Sequence, residues 1–191
     1  MHPGLRLNNV MRMETPDEQL ALAAAGGDRA AFAALVTRHY ARIHGLGWRL
    51  TGSVADAQDL AQDICAALPA KLRHFRGEAR FTTWLYRVVV NAAQDLRRRQ
   101  MTRARAADGW GDWEVGRQAD MAQSTAARLW LEGAMAKLPP DLQDTVALVL
   151  GEELTQAEAA AVLGISEGTI AWRMSEVKKR LRRIAAEEEA P

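Results

Sequence analysis

The sequence predicts an all-α protein of two small helical domains joined by a flexible linker. Three observations lead there. Ala and Leu dominate, and no strand-length run alternates Val, Ile or Thr with polar residues. Apolar residues recur at helical spacing behind capping residues in most segments. Between residues 100 and 124 the composition shifts to Gly, Arg and polar side chains. Of the 191 residues, 48% are hydrophobic and 26% charged, a balance that folds rather than remaining disordered.

Residues 1–14 read as a loose arm and 15–99 as the first domain. Its first helix is expected to open with a capping box, with Thr15 as the cap, Pro16 at the first helical position and Glu18 three residues after the cap. That helix should end at Gly26-Gly27. A second helix is expected over 28–50 and a third over 54–73, capped by Ser53. A loop over 74–81 with Gly77 precedes a fourth helix over 82–99. The linker, 100–124, holds Trp110 and Trp113, which fit either packing on a neighbouring domain or docking to a partner. The second domain, 125–186, should begin with helices over 125–137 and 141–151, separated by Leu138-Pro139-Pro140. Thr155 and Glu158 form a capping box for a short helix ending at Leu163-Gly164, and Ser166 caps a last helix over 167–186. Residues 187–191 are an acidic tail.

Composition excludes several function classes. The single cysteine, Cys65, permits neither an intrachain disulfide nor a cysteine-based zinc site. His39 and His44 lack metal-ligand spacing, and His2 and His74 stand alone. There is no nucleophile elbow and no phosphate-cradling glycine loop. No catalytic residue, metal or cofactor is therefore expected, and the chain is not read as an enzyme. No apolar run approaches the ~18 residues of a membrane span. The segment from Met1 to Met13 lacks the apolar stretch of a secretory signal. A soluble cytoplasmic protein without membrane insertion is the expectation, with Met11 and Met13 as alternative starts.

With 25 basic and 24 acidic residues, net charge points to no partner, but the distribution of charge does. A short helix, a turn with Gly164 and a longer helix form the helix-turn-helix pattern. On the longer helix Ile170, Met174, Val177, Leu181 and Ile184 fall on one stripe at 4-3-4-3 spacing. The opposite side carries Trp172, Ser175, Glu176, Lys179, Arg182 and Arg183, with Arg173 and Arg180 on one flank and Lys178 on the other. In such units the N-terminal part of the second helix reads base edges in the major groove. Trp172, Ser175 and Glu176 are therefore base-reading candidates, although Trp172 also suits a protein contact. Arg173, Lys178, Lys179, Arg182 and Arg183 suit phosphates, which set register without reading sequence.

In the first domain Asp56, Asp59 and Asp63 repeat at i, i+3 and i+7, opposite the apolar stripe Ala57, Leu60, Ala61, Ile64 and Leu68. That acidic face is either simply solvated or a docking surface for a basic partner. From His74 to Tyr86, aromatic residues interleave with Arg76 and Arg80. Unpaired bases stack on aromatic rings while guanidinium groups hold the backbone, so the loop suits opened nucleic acid. The competing reading places Phe75, Phe81, Trp84 and Tyr86 in a small core. Arg97, Arg98, Arg99, Arg103 and Arg105 then put five cations in nine positions.

Taken together, the two halves resemble the extracytoplasmic-function, or group 4, sigma factors of bacterial RNA polymerase. The first half carries Asp56-Ala-Gln-Asp59-Leu60-Ala-Gln62-Asp63, then Phe75, then Phe81-Thr-Thr-Trp84-Leu85-Tyr86-Arg87, Asn91, Asp95, Arg97 and Arg98. The second carries Leu138-Pro139 and the run from Thr155 through Gly164-Ile165-Ser166 to Gly168-Thr169-Ile170. The resemblance implies a σ2 and a σ4 domain without a σ3 domain between them. It implies that Asp56, Asp59, Gln62 and Asp63 dock on the β′ clamp helices of core RNA polymerase. It implies that Phe75, Arg76, Arg80, Phe81, Trp84, Asn91, Arg97 and Arg98 recognise and melt the −10 element. Ser166, Thr169 and the exposed residues of the last helix would bind the −35 element, with σ4 resting on the β flap. An anti-sigma factor is an expected partner, and the free chain is expected to be a monomer. Ala171 and Trp172 stand where relatives often have a basic residue and Ser, so the −35 sequence is not transferable from them. The alternative reading is a free-standing helix-turn-helix regulator.

Overall fold

A computed structural model describes residues 15–107, 130 and 133–188. The arm, Trp110, Trp113, most of the expected linker, most of the helix expected over 125–137 and the end of the acidic tail lie outside the described residues. The helices are α1 (Asp17–Ala25), α2 (Arg29–Thr51), α3 (Val54–Leu72), α4 (Phe81–Ala107), α5 (Pro140–Val146), α6 (Gln156–Leu163) and α7 (Glu167–Glu188). A π turn, Ala147–Gly151, continues α5. No strand occurs among the described residues.

Several ends follow directly from local chemistry. The Asp28 carboxylate accepts from the N–H groups of Ala30 and Ala31 and starts α2. Ser53 accepts from the Asp56 N–H and starts α3. Pro139 occupies the cap of α5 and Pro140 its first turn, where a missing N–H costs nothing. The capping box of α6 is present, with the Glu158 carboxylate accepting from the Thr155 N–H at 3.0 Å. These hydrogen bonds hold the Glu158 carboxyl below the usual carboxylate range, and Arg80 adds to the effect. Gly164 ends α6 with φ +68°, a left-handed conformation suited to glycine, and makes the helix-turn-helix bend.

Two local expectations are corrected. The first helix has no capping box: Pro16 sits at the cap, and no side chain caps it. Glu18 instead reaches across the fold and accepts from the Phe81 N–H at 2.9 Å, serving the start of α4. The fourth helix does not stop near residue 99. Residues 100–107, Gln-Met-Thr-Arg-Ala-Arg-Ala-Ala, contain no Gly or Pro, and α4 runs through them to Ala107.

Helices α1 to α4 bury one core built from Leu35, Ile43, Leu46, Leu50, Leu60, Ile64, Leu68, Leu72, Phe81, Leu85, Val89 and Val90. This cluster runs without a break into the second unit through Ala147, Leu148, Ala159, Ala160, Val162 and Ile170. A smaller cluster, Leu138, Leu142, Val146 and Val177, joins α5 to α7. Beneath α1, the His39 ring is buried against Phe81 and its Nε2 lies 2.8 Å from the Asp17 carboxylate. Burial pulls the His39 pKa below its ordinary value, more strongly than Asp17 pulls it up.

Candidate nucleic-acid and protein interfaces

Helix α3 exposes Asp59, Gln62 and Asp63 on the side opposite its buried stripe of Ala57, Leu60, Ala61, Ile64 and Leu68. Asp56 is half-buried at the same helix start, where the Gln100 amide donates to its carboxylate at 3.2 Å. The acidic face is thus assembled from one helix and held by the packing behind it.

The loop over 73–80 and the first turns of α4 separate two kinds of aromatic residue. Phe75 is 6% exposed and Phe81 0% exposed, so neither ring presents a face to a base. This corrects their expected contact with DNA. The physical reason is a ring cluster: Phe75 lies edge-on to Phe81 and Trp84 at centroid separations of 5.8 and 5.5 Å. Trp84 is half-buried beside them, and Tyr86 is buried. Arg76, Arg80, Asn91 and Arg98 are exposed. Arg98 pairs with Asp95 on its own helix.

Arg97 is different. Its guanidinium donates to both Asp144 carboxylate oxygens at 2.8 Å, and Gln94 donates to Asp144 as well at 3.1 Å. Asp144 is 3% exposed and belongs to α5, in the second unit. Further polar contacts join the same two units. Glu152 accepts from Arg49 at 2.7 Å and from the Tyr86 hydroxyl at 2.7 Å, with Arg42 at 3.8 Å. Burial and the Glu152 hydrogen bond push the Tyr86 pKa well up. Arg87 donates to the Ala161 carbonyl, and Arg80 lies 3.5 Å from Glu158. Sequence reasoning missed this seam. Its one signal was Asp144 standing two residues before the apolar run Val146 to Leu150.

On α7, Ile170, Val177 and Ile184 are buried, with Met174 and Leu181 half-buried. The outer face presents Ser166, Trp172, Ser175, Lys178, Lys179, Arg182 and Arg183. Trp172 is 61% exposed, the second-largest exposure of a large apolar side chain among the described residues, after Leu150. The Ser166 hydroxyl accepts from the Thr169 N–H at 3.1 Å and contacts the half-buried Thr169 hydroxyl at 2.9 Å. Three of the −35 candidates have ion-pair partners. Arg173 turns inward, 3.5 Å from the Asp141 carboxylate. Glu176 accepts from Arg180 at 2.8 Å. Arg183 lies 3.6 Å from Glu187. No cluster of three or more potential metal-binding His, Cys, Asp or Glu residues occurs among the described residues. No helix among them is long and apolar enough to cross a membrane.

An acidic helix face in one unit and a cationic helix-turn-helix in the other match two known sequence families. Sigma-70 region 2 matches residues 35–103, and sigma-70 region 4 matches residues 134–183. The ECF RNA polymerase sigma factor SigM of Mycobacterium tuberculosis is 31% identical over 173 residues, spanning 91% of this chain and 86% of that protein. The chain belongs to the extracytoplasmic-function sigma factors of the sigma-70 family. The RNA polymerase sigma factor CnrH of Cupriavidus metallidurans is 30% identical, over 90% of this sigma factor and 95% of CnrH. CnrH solved in complex with the cytosolic domain of CnrY has a TM-score of 0.67 at 26% identity, over 91% of this chain and 99% of that one. The sigma factor RpoE from Bartonella quintana, solved with the anti-sigma factor NepR, shares the fold at a TM-score of 0.67 and 21% identity, over 81% and 96%. This sigma factor therefore has the two-domain, all-α architecture, with region 2 built on α2 to α4 and region 4 on α5 to α7.

Proposed function

We propose that this sigma factor binds core RNA polymerase through Asp59, Gln62 and Asp63, with Asp56 at the edge of that face, against the β′ clamp helices. Region 4 rests on the β flap and sets α7 in the major groove of the −35 element. The supporting observation is the separation of charge in a chain of nearly zero net charge. A carboxylate face is exposed on α3, and a face of Lys178, Lys179, Arg182 and Arg183 is exposed on α7. Opposite faces of this kind suit a subunit that meets protein and DNA at once.

At the −35 element the four cations hold phosphates, and Trp172, with Ser175, meets base edges, where an apolar ring suits a thymine methyl. Ser166 and Thr169 sit at the helix N-terminus, where N–H groups favour phosphate. At the −10 element Arg76, Arg80, Arg97 and Arg98 hold the backbone while Asn91 and the open side of Trp84 meet unpaired bases. Phe75 and Phe81 brace that surface from behind. A stacked base contributes about 1–3 kcal/mol to capture of the open strand. Polymerase supplies all the chemistry. An anti-sigma factor is the proposed regulator, since CnrH was solved in complex with the cytosolic domain of CnrY.

The decisive experiment is transcription of fragmented source-genome DNA by purified core polymerase with and without this protein, mapping RNA 5′ ends. New starts sharing −35 and −10 elements are expected. An absence of both core binding and new starts would favour a free-standing helix-turn-helix regulator.

A further inference from the structure

We propose that Glu18 is a positioning residue for opening of the −10 element: α1 carries its carboxylate to the first N–H of α4 and thereby fixes the surface that unpaired bases meet. The role in opening rests on the function proposed above, whereas the anchoring of α4 does not. Glu18 lies outside residues 35–103, the stretch matched by region 2. Its half-buried side chain accepts from the Phe81 N–H at 2.9 Å, across 63 residues of sequence.

Local sequence supplies α4 with a poor start. Arg80 stands immediately before the helix, and its carbonyl accepts from the Trp84 N–H at 3.1 Å. An arginine side chain has donors and no acceptor, so it cannot cap the turn it opens. The first turn of α4 holds no acid. The carboxylate brought in from α1 satisfies an orphan donor and places negative charge at the positive end of the helix.

The −10 surface is built outward from the Phe81 backbone. The Phe81 ring meets His39, Phe75 and Trp84 at centroid separations of 5.2, 5.8 and 5.7 Å. Exposed Arg80 flanks the capped N–H on one side, and half-buried Trp84 lies one turn further along α4. Movement of that first turn therefore moves both groups assigned to the open strand. Helix α1 is a firm support for the cap, because Leu20 and Ala21 are buried in the main core. Asp17, the neighbour of Glu18, lies 2.8 Å from Nε2 of His39 and pairs with Arg38, both on α2. Two successive carboxylates thus tie α1 to α2 and to α4.

The test compares three variants of the full chain. Glu18→Ala removes the acceptor, and Glu18→Gln keeps an amide oxygen in its place. Asp28→Ala removes the cap of α2 and serves as a control of comparable stability loss away from α4. Hydrogen exchange over residues 81–84 should be about fivefold faster in Glu18→Ala and close to wild type in Glu18→Gln, with residues 54–72 unchanged. Permanganate oxidation of unpaired thymines, at a promoter found by the start-site mapping above, then reads opening by the polymerase complex. Glu18→Ala should lower the opened fraction about fivefold while its affinity for core polymerase stays within about twofold of wild type. Glu18→Gln and Asp28→Ala should open the promoter as wild type does. Unchanged exchange over 81–84 in Glu18→Ala overturns the anchoring. Faster exchange with unchanged opening, or an equal loss of opening in Asp28→Ala, overturns the role in opening. A wild-type chain that yields no new starts overturns the sigma-factor reading and the role in opening together, whereas the anchoring is decided by exchange alone.

Discussion

Asp63→Arg should strengthen the fold and weaken polymerase binding in the same molecule. Asp59 and Asp63 are exposed, one helical turn apart on α3. Like charges at i, i+4 cost ~0.2–0.5 kcal/mol, and an acid placed four residues before a base gains a similar amount. The substitution removes the repulsion and creates the favourable order, a gain of about 0.4–1 kcal/mol. At about 2–4 °C per kcal/mol for a chain of this size, the melting temperature should rise by ~1–4 °C. The same Arg facing a basic partner surface costs about 2–3 kcal/mol, since like-charge juxtaposition at an interface costs several kcal/mol. That corresponds to a ~30- to 150-fold weaker Kd for core polymerase. Fluorescence-monitored melting and titration of labelled protein with core polymerase measure the two effects. A variant that is more stable yet binds core within twofold of wild type would refute the docking face. A loss of both properties would mean that Asp63 supports the fold itself.

Three further outcomes are expected. Trp172→Ala should change which −35 sequences are bound while leaving the salt dependence intact, whereas Lys179→Ala should weaken all sequences alike and reduce the slope of log K against log salt by about 0.9; binding to a panel of duplexes at several salt concentrations separates them. Phe81→Ala should cost ~3–5 kcal/mol in denaturant unfolding, because the ring is fully buried against His39, Phe75 and Trp84. His39, with a pKa lowered by burial, binds fewer protons folded than unfolded, so its contribution to stability is complete above about pH 6.5 and is lost as pH falls through the folded pKa. Unfolding midpoints measured from pH 8 to 5 should decline, and His39→Gln should flatten that part of the profile.

Much of this protein is written locally. The buried stripes of α3 and α7 are visible as spacing, because a helix repeats its faces every 3.6 residues. The caps at Asp28, Ser53 and Thr155 and the bend at Gly164 lie within a few residues of the groups they satisfy. The acidic α3 face and the cationic α7 face were legible for the same reason: exposure follows from the phase of the apolar stripe. Helix ends were less legible where nothing stops the chain, as at Gln100 to Ala107.

Tertiary structure alone decided which side chains are already spoken for. Glu18 caps α4 from 63 residues away. Phe75 and Phe81 pass from candidate base contacts to core because Trp84 on α4 packs beside both rings and His39 on α2 closes on Phe81. Arg97 resembles its neighbour Arg98 in sequence, yet one faces solvent and the other meets Asp144, 47 residues on. Spacing along one helix fixes the direction in which a side chain points. What it meets there depends on how separate helices pack, and that information is distributed over the whole chain.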